Sequence, residues 1–104
     1  MLILGLGTNL GDGLNNLRSA LQLLQKSSTI APLQISPVYT SSALLPAYAP
    51  AAWNRPYLNV ALACETSLSP FETLRQIKQI EKQLGREESQ RWAPRVIDID
   101  ILAW

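Results

Sequence analysis

The chain has 104 residues, 47% of them hydrophobic and 16% charged, with a formal net charge of +1. That profile is of one ordinary globular domain, and it speaks against a disordered segment and against a surface-wide basic footprint for nucleic acid. With no histidine and a single cysteine, Cys64, the sequence offers no internal disulfide, no Ser-His-Asp arrangement and no histidine-ligated zinc, so any metal must rest on oxygen donors such as those magnesium, manganese or calcium prefer.

Residues 2–6 (LILGL) predict a short buried strand, and GTNLGDG after it is a run of turn formers. Asp12 suits a helix N-cap, with Leu14, Leu17, Leu21 and Leu24 as the apolar stripe of a helix running to about Lys26. The segment from about Ile30 to Tyr39 reads as extended, and Pro32 and Pro37 make it an edge strand because neither can donate a ladder hydrogen bond. Residues 40–56 hold three prolines and no clear period, as expected of a long functional loop. A strand follows at Tyr57–Thr66. Ser69-Pro70-Phe71-Glu72 is a capping box with proline at the first helical position; Leu74, Ile77, Ile80 and Leu84 supply the buried face, and Gly85 ends the helix. A polar loop from Arg86 to Arg95 leads into a last strand, Val96–Leu102.

The resulting βαββαβ order predicts one α+β domain over residues 1–104. This is the ferredoxin-like sandwich, a four-stranded, mainly antiparallel sheet with two helices on one face and the other face free. Alternation sends Ile97, Ile99 and Ile101 under the helices and Asp98 and Asp100 to the free face. Tyr57, Asn59, Ala61 and Ala63 share that face, as do Ile3, Gly5 and Gly7, whose glycines should leave a shallow floor for a flat ligand. Two aspartates at i and i+2 stand roughly 6.6 to 7 Å apart and repel by about 2.4 kcal/mol at an effective dielectric near 20. Divalent cations would reverse that sign. Arg91, Trp92 and Arg95 stand just upstream, where polyphosphate recognition needs positive charge.

Three stretches, GLGTNLGDGLNNL, PYLNVALACET and IEKQLGREESQRWAPRVIDIDIL, resemble the 6-hydroxymethyl-7,8-dihydropterin pyrophosphokinases of folate biosynthesis across essentially the whole chain. The last stretch is the most specific, since it follows the family pattern of Arg-Trp-Gly-Pro-Arg, two residues, then Asp-x-Asp. The resemblance implies an enzyme that moves the terminal pyrophosphoryl group of ATP to the pterin hydroxymethyl group and releases AMP. It implies two magnesium ions on Asp98 and Asp100, and a catalytic loop formed by Arg91, Trp92 and Arg95. Glu81, Arg86 and Ile101, with Arg91 and Arg95, would line the nucleotide; Ser41, Leu44, Tyr57 and Asn59 would hold the pterin. It also implies ATP and a reduced pterin as the partners, and fusion to or association with other folate-pathway enzymes.

The sequence departs from the family in several places. Family members usually continue past the last strand with basic residues, a histidine and a second pterin-stacking aromatic, so the domain is expected to be short at its C-terminal end relative to the family. Glu88 stands where many relatives have another arginine, Ala93 replaces a glycine, and Ser42 and Ala43 replace prolines. A nucleotide- or pterin-binding module with little or no turnover is therefore the rival reading. RNA binding is a third class for this strand order, but it wants aromatic side chains on the outward faces of the first and third strands. Ile3, Gly5 and Gly7 are not aromatic, and Tyr57 stands alone, so no nucleic-acid partner is expected. The apolar N-terminal run is too short to span a membrane, and the single cysteine suits a reducing compartment. A cytoplasmic protein without a membrane partner is the expectation.

Overall fold

Alternate leucines build the first strand. Leu2, Leu4 and Leu6 are buried while Ile3 and Gly5 between them are half-exposed, so β1 (Leu2–Thr8) lays one face on the core. The computed structural model describes residues 1–85 and 94–104. After β1, Asp12 opens α1 (Gly13–Lys26): its extended backbone lets the side chain accept from the Asn15 N–H at 3.2 Å. The strands β2 (Ile30–Ile35), β3 (Tyr39–Ser41) and β4 (Tyr57–Thr66) follow, then α2 (Pro70–Gln83) and β5 (Asp98–Ala103). Ser69 and Glu72 close the expected capping box around Pro70, and Gly85 adopts φ +90° just past the helix end.

The sheet order is β2-β4-β1-β5, with every pairing antiparallel. The five strands occupy four positions, because β2 and β3 lie one after the other along the same edge of β4, at Leu62–Thr66 and Tyr57–Asn59 respectively. The expected edge strand over 30–39 is thus broken in two. Its register shifts between Pro32 and Gln34. Ser36 then bridges to Ala61 twice, its N–H donating to the Ala61 carbonyl at 2.9 Å and its Oγ accepting from the Ala61 N–H at 2.8 Å. Pro37 has no N–H to carry the ladder further, and pairing resumes only at Tyr39.

Both helices pack on one face. Leu17, Ala20 and Leu24 of α1 and Ile77 and Ile80 of α2 meet Leu2, Leu4, Leu6, Val60, Leu62, Cys64, Ile97 and Ile99 in one buried cluster. Each fully buried Leu or Ile there contributes about 1.5–3 kcal/mol relative to exposure. Burial also pushes the Cys64 thiol above its usual pKa.

Two expected core leucines lie outside the cluster: Leu14 is 57% exposed and Leu74 44%. The buried line of α2 runs instead through Thr73, Ile77, Ile80 and Glu81. That of α1 runs through Leu17, Ala20 and Leu24, and at the helix start Gly13 approaches β4 so closely that a Cβ would come within 2.7 Å of the Leu58 side chain. The last strand begins at Asp98, two residues later than the apolar pattern indicates. Among the described residues, no helix is long and apolar enough to cross a membrane.

Candidate functional site

Strand register lines up one row of residues across the open face. Tyr39 on β3 pairs with Asn59 on β4, Asn59 with Gly7 on β1, and Gly7 with Asp98 on β5. Directly paired residues point to the same side, so Asn59 and Asp98 face the same space two strand spacings apart, about 10 Å. The neighbouring register positions add Ser41 opposite Tyr57 at one end and Asp100 opposite Gly5 at the other. A shallow depression of about 450 Å³ along Ile3, Ile35, Ala61 and Ala63 extends the same side of the sheet toward β2.

The β4 side is held by hydrogen bonds. Asn59 Nδ2 donates to Ser41 Oγ at 2.9 Å and, more weakly, toward the Tyr39 and Tyr57 carbonyls at 3.4 and 3.5 Å. Gly7 lies beneath this group. A Cβ there would stand 3.2 Å from Asn59 Oδ1 and 3.4 Å from the Tyr57 ring. Leu102 covers Gly5 in the same way, with its side chain 3.0 Å from where a Cβ would be. A register irregularity between β1 and β5 accompanies this placement, with Leu4 opposite Ile101 and Ile3 opposite Ala103. The expected bare glycine floor is therefore corrected: these glycines make room for the protein's own side chains.

The β5 side is held by charge. Arg95 Nη1 lies 3.4 Å from Asp98 Oδ1, a long contact between partly exposed groups. Desolvation raises the pKa of the Asp100 carboxyl above the ordinary aspartate range. Repulsion from Asp98, a hydrogen bond shared with it and repulsion from Glu81 raise it further, and Lys78 partly offsets them. Negative charge on Asp98 thus disfavours charge on Asp100. Among the described residues no set of three or more His, Cys, Asp or Glu is gathered as a metal cage. A pair of carboxylates is the donor number magnesium takes when phosphate oxygens complete its shell.

Of the other expected ligand residues, Glu81 is buried, 2% exposed. Its Oε2 accepts from the Ile99 N–H at 2.9 Å and its Oε1 pairs with Lys78 at 3.3 Å. It ties α2 to the backbone of β5 between the two aspartates. Ile101 is half-buried against the core, and Leu44 is 78% exposed. Arg86, Arg91 and Trp92 lie outside the described residues, as do Glu88 and Ala93.

Asn9 had no place among the expected site residues, because its heptapeptide reads as turn formers. It is only 7% exposed, and its side chain joins the loops that precede both β4 and β5. A polar residue directly after a strand that must be buried was the available signal.

A helix-backed antiparallel sheet whose helix-free face carries two carboxylates on an outer strand defines an α+β, ferredoxin-like domain. The sequence profile of the family described as 7,8-dihydro-6-hydroxymethylpterin-pyrophosphokinase matches residues 3–104, and the chain belongs to that family. It is 38% identical to the 2-amino-4-hydroxy-6-hydroxymethyldihydropteridine pyrophosphokinase of Bacillus subtilis, over 95% of this chain and 56% of that protein. Against the enzyme of the same name from Aquifex aeolicus it is 40% identical, over 97% of this chain and 59% of that protein. The folate synthesis bifunctional protein of Chlamydia muridarum is 42% identical over 97% of this chain. The chain spans 22% of that bifunctional protein's length.

Proposed function

We propose that the chain transfers pyrophosphate from ATP to the hydroxymethyl group of 6-hydroxymethyl-7,8-dihydropterin. The hydroxymethyl oxygen forms a bond to the β-phosphorus, the bond from that phosphorus to the bridging α-oxygen breaks, AMP leaves, and the hydroxyl proton passes to water. The cross-sheet row carries this reading. It sets an aromatic-amide wall (Tyr57, Asn59, Ser41) about 10 Å from a carboxylate pair, so a flat ring and a triphosphate can lie side by side with the reacting atoms between them.

Tyr57 offers a ring face for stacking, and Asn59, already anchored through Ser41, presents an amide to the edge of a heterocycle. Leu44, largely exposed, would add apolar surface to that wall. Asp98 and Asp100 would hold magnesium, two ions in this reading, which would supply positive charge to the phosphate oxygens as charge builds on the leaving group. Arg95 would exchange its long contact with Asp98 for a phosphate oxygen, and Arg86, Arg91 and Trp92, which precede it in sequence, would join it. Ile101 and Glu81 would sit behind the nucleotide, with Glu81 acting through the β5 backbone. Positioning and charge neutralisation dominate such a transfer, so a chain without histidine is no obstacle. The free, buried Cys64 supports a cytoplasmic location, and the bifunctional relative supports a place beside other folate-pathway enzymes.

Chromatographic measurement of AMP, from ATP with and without the hydroxymethyl pterin, tests the proposal. AMP release that needs the pterin and magnesium together is expected. Binding of both substrates with no AMP would overturn transfer and leave a binding module.

A further inference from the structure

We infer that Asn9 is a positioning residue that sets the distance between the two walls of the site; the inference rests on the two-substrate reading above. Asn9 is buried at the end of β1. Its side-chain Oδ1 accepts from the Arg95 backbone N–H at 2.8 Å, and its own N–H donates to the Arg95 carbonyl at 3.1 Å. Its Nδ2 donates to the Arg55 carbonyl at 3.0 Å. A backbone N–H can only donate and a carbonyl can only accept, so these partners fix which way the amide faces.

One amide therefore ties together two segments that are far apart in sequence. Arg95 carries the guanidinium that faces Asp98, three residues before it on the way into β5. Arg55 precedes Pro56 and Tyr57, where β4 and its aromatic-amide wall begin. The turn that presents Asn9 is itself held: Asn16 Nδ2 donates to the Leu10 carbonyl at 2.9 Å and to Thr8 Oγ1 at 3.2 Å, and Gly11 takes φ +78°. Asn9 itself is buried, so its amide has little water in reach to replace either partner, and each bond is costly to lose. The two halves of the amide serve different walls, and chemistry can separate them. Aspartate keeps the acceptor for Arg95 and, when ionised, has no donor for Arg55. Alanine has neither.

The test compares wild type, Asn9→Asp and Asn9→Ala at pH 8, each checked by thermal melting. Titration calorimetry gives the affinities for 6-hydroxymethylpterin and for magnesium with α,β-methylene-ATP. In Asn9→Asp the pterin affinity should fall roughly tenfold further than the nucleotide affinity; in Asn9→Ala both should fall by roughly tenfold or more. Amide exchange at Arg95, read in the unliganded chain, should stay slow in wild type and Asn9→Asp and rise at least roughly tenfold in Asn9→Ala. Equal losses for both ligands in both variants, unchanged affinities, or loss of the folded state in both would overturn the inference. A wild type that shows the exchange pattern but binds neither ligand would uphold the clamp and count against the transferase reading alone.

Discussion

The two walls of the open face are built on opposite terms. On β4 the polar groups satisfy one another: Asn59 leans on Ser41, and Gly7 leaves the space that Asn59 and the Tyr57 ring fill. On β5 the groups oppose one another: Asp98 and Glu81 disfavour charge on Asp100, Lys78 partly offsets them, and Arg95 makes a long contact with Asp98. The first wall is shaped before any ligand arrives. The second stores unfavourable charge that a ligand would relieve. In the proposed reading a heterocycle would gain from the preformed side by avoiding ordering costs, and a cation-bearing triphosphate would gain from the acidic side by Coulomb attraction.

The sharpest way to break this contrast is to remove one carboxylate. Asp98→Ala or Asp100→Ala should weaken magnesium-dependent nucleotide binding by at least about a hundredfold, while the circular-dichroism spectrum stays native, since neither side chain belongs to the buried cluster. A collapsed spectrum would show that these strand positions serve the core. Next in size, Gly7→Ala should displace Asn59 and Tyr57, cost about 1–3 kcal/mol in a denaturant melt and weaken pterin more than nucleotide binding. Ser41→Ala should then loosen Asn59 and lower pterin affinity by about 1 kcal/mol, with nucleotide titrations unmoved.

The smallest effect concerns pH. A carboxyl whose folded pKa is raised adds stability that is fully present below its unfolded pKa and is lost as pH rises through the folded value. Asp100 is such a group, so the unliganded wild type should lose a little stability as pH climbs through and just above the carboxylate range. Asp100→Asn should flatten that slope and stabilise the unliganded fold at neutral pH by under about 0.5 kcal/mol after solvent screening. Parallel pH–stability curves for the two proteins would refute the charge conflict.

Much of this frame could be read in the residues. Capping at Asp12 and Ser69, the period-two apolar sets of β1 and β4, and the outward aspartates all rest on local rules, and local rules survived folding. Leu14 and Leu74 misled because an apolar stripe counts large side chains, whereas close helix contacts fall at Gly13, Thr73 and Glu81. Those positions are decided by what lies opposite: a leucine on β4 for Gly13, a β5 backbone N–H for Glu81. The glycine floor failed for the same reason, since only tertiary packing reveals that Leu102, Asn59 and Tyr57 fill it. Asn9 escaped notice because its partners lie 46 and 86 residues away. A turn-forming heptapeptide gives no hint of such reach.

In the proposed site the β5 carboxylates would bind a triphosphate only through divalent cations. Calorimetric titration of α,β-methylene-ATP into the wild-type chain, with magnesium and then with excess chelator, addresses it most directly. Saturable binding that vanishes with the chelator is the predicted result. Equal affinity in both conditions would contradict the account, because anionic phosphates would then be gathering beside two bare carboxylates without the ions said to join them.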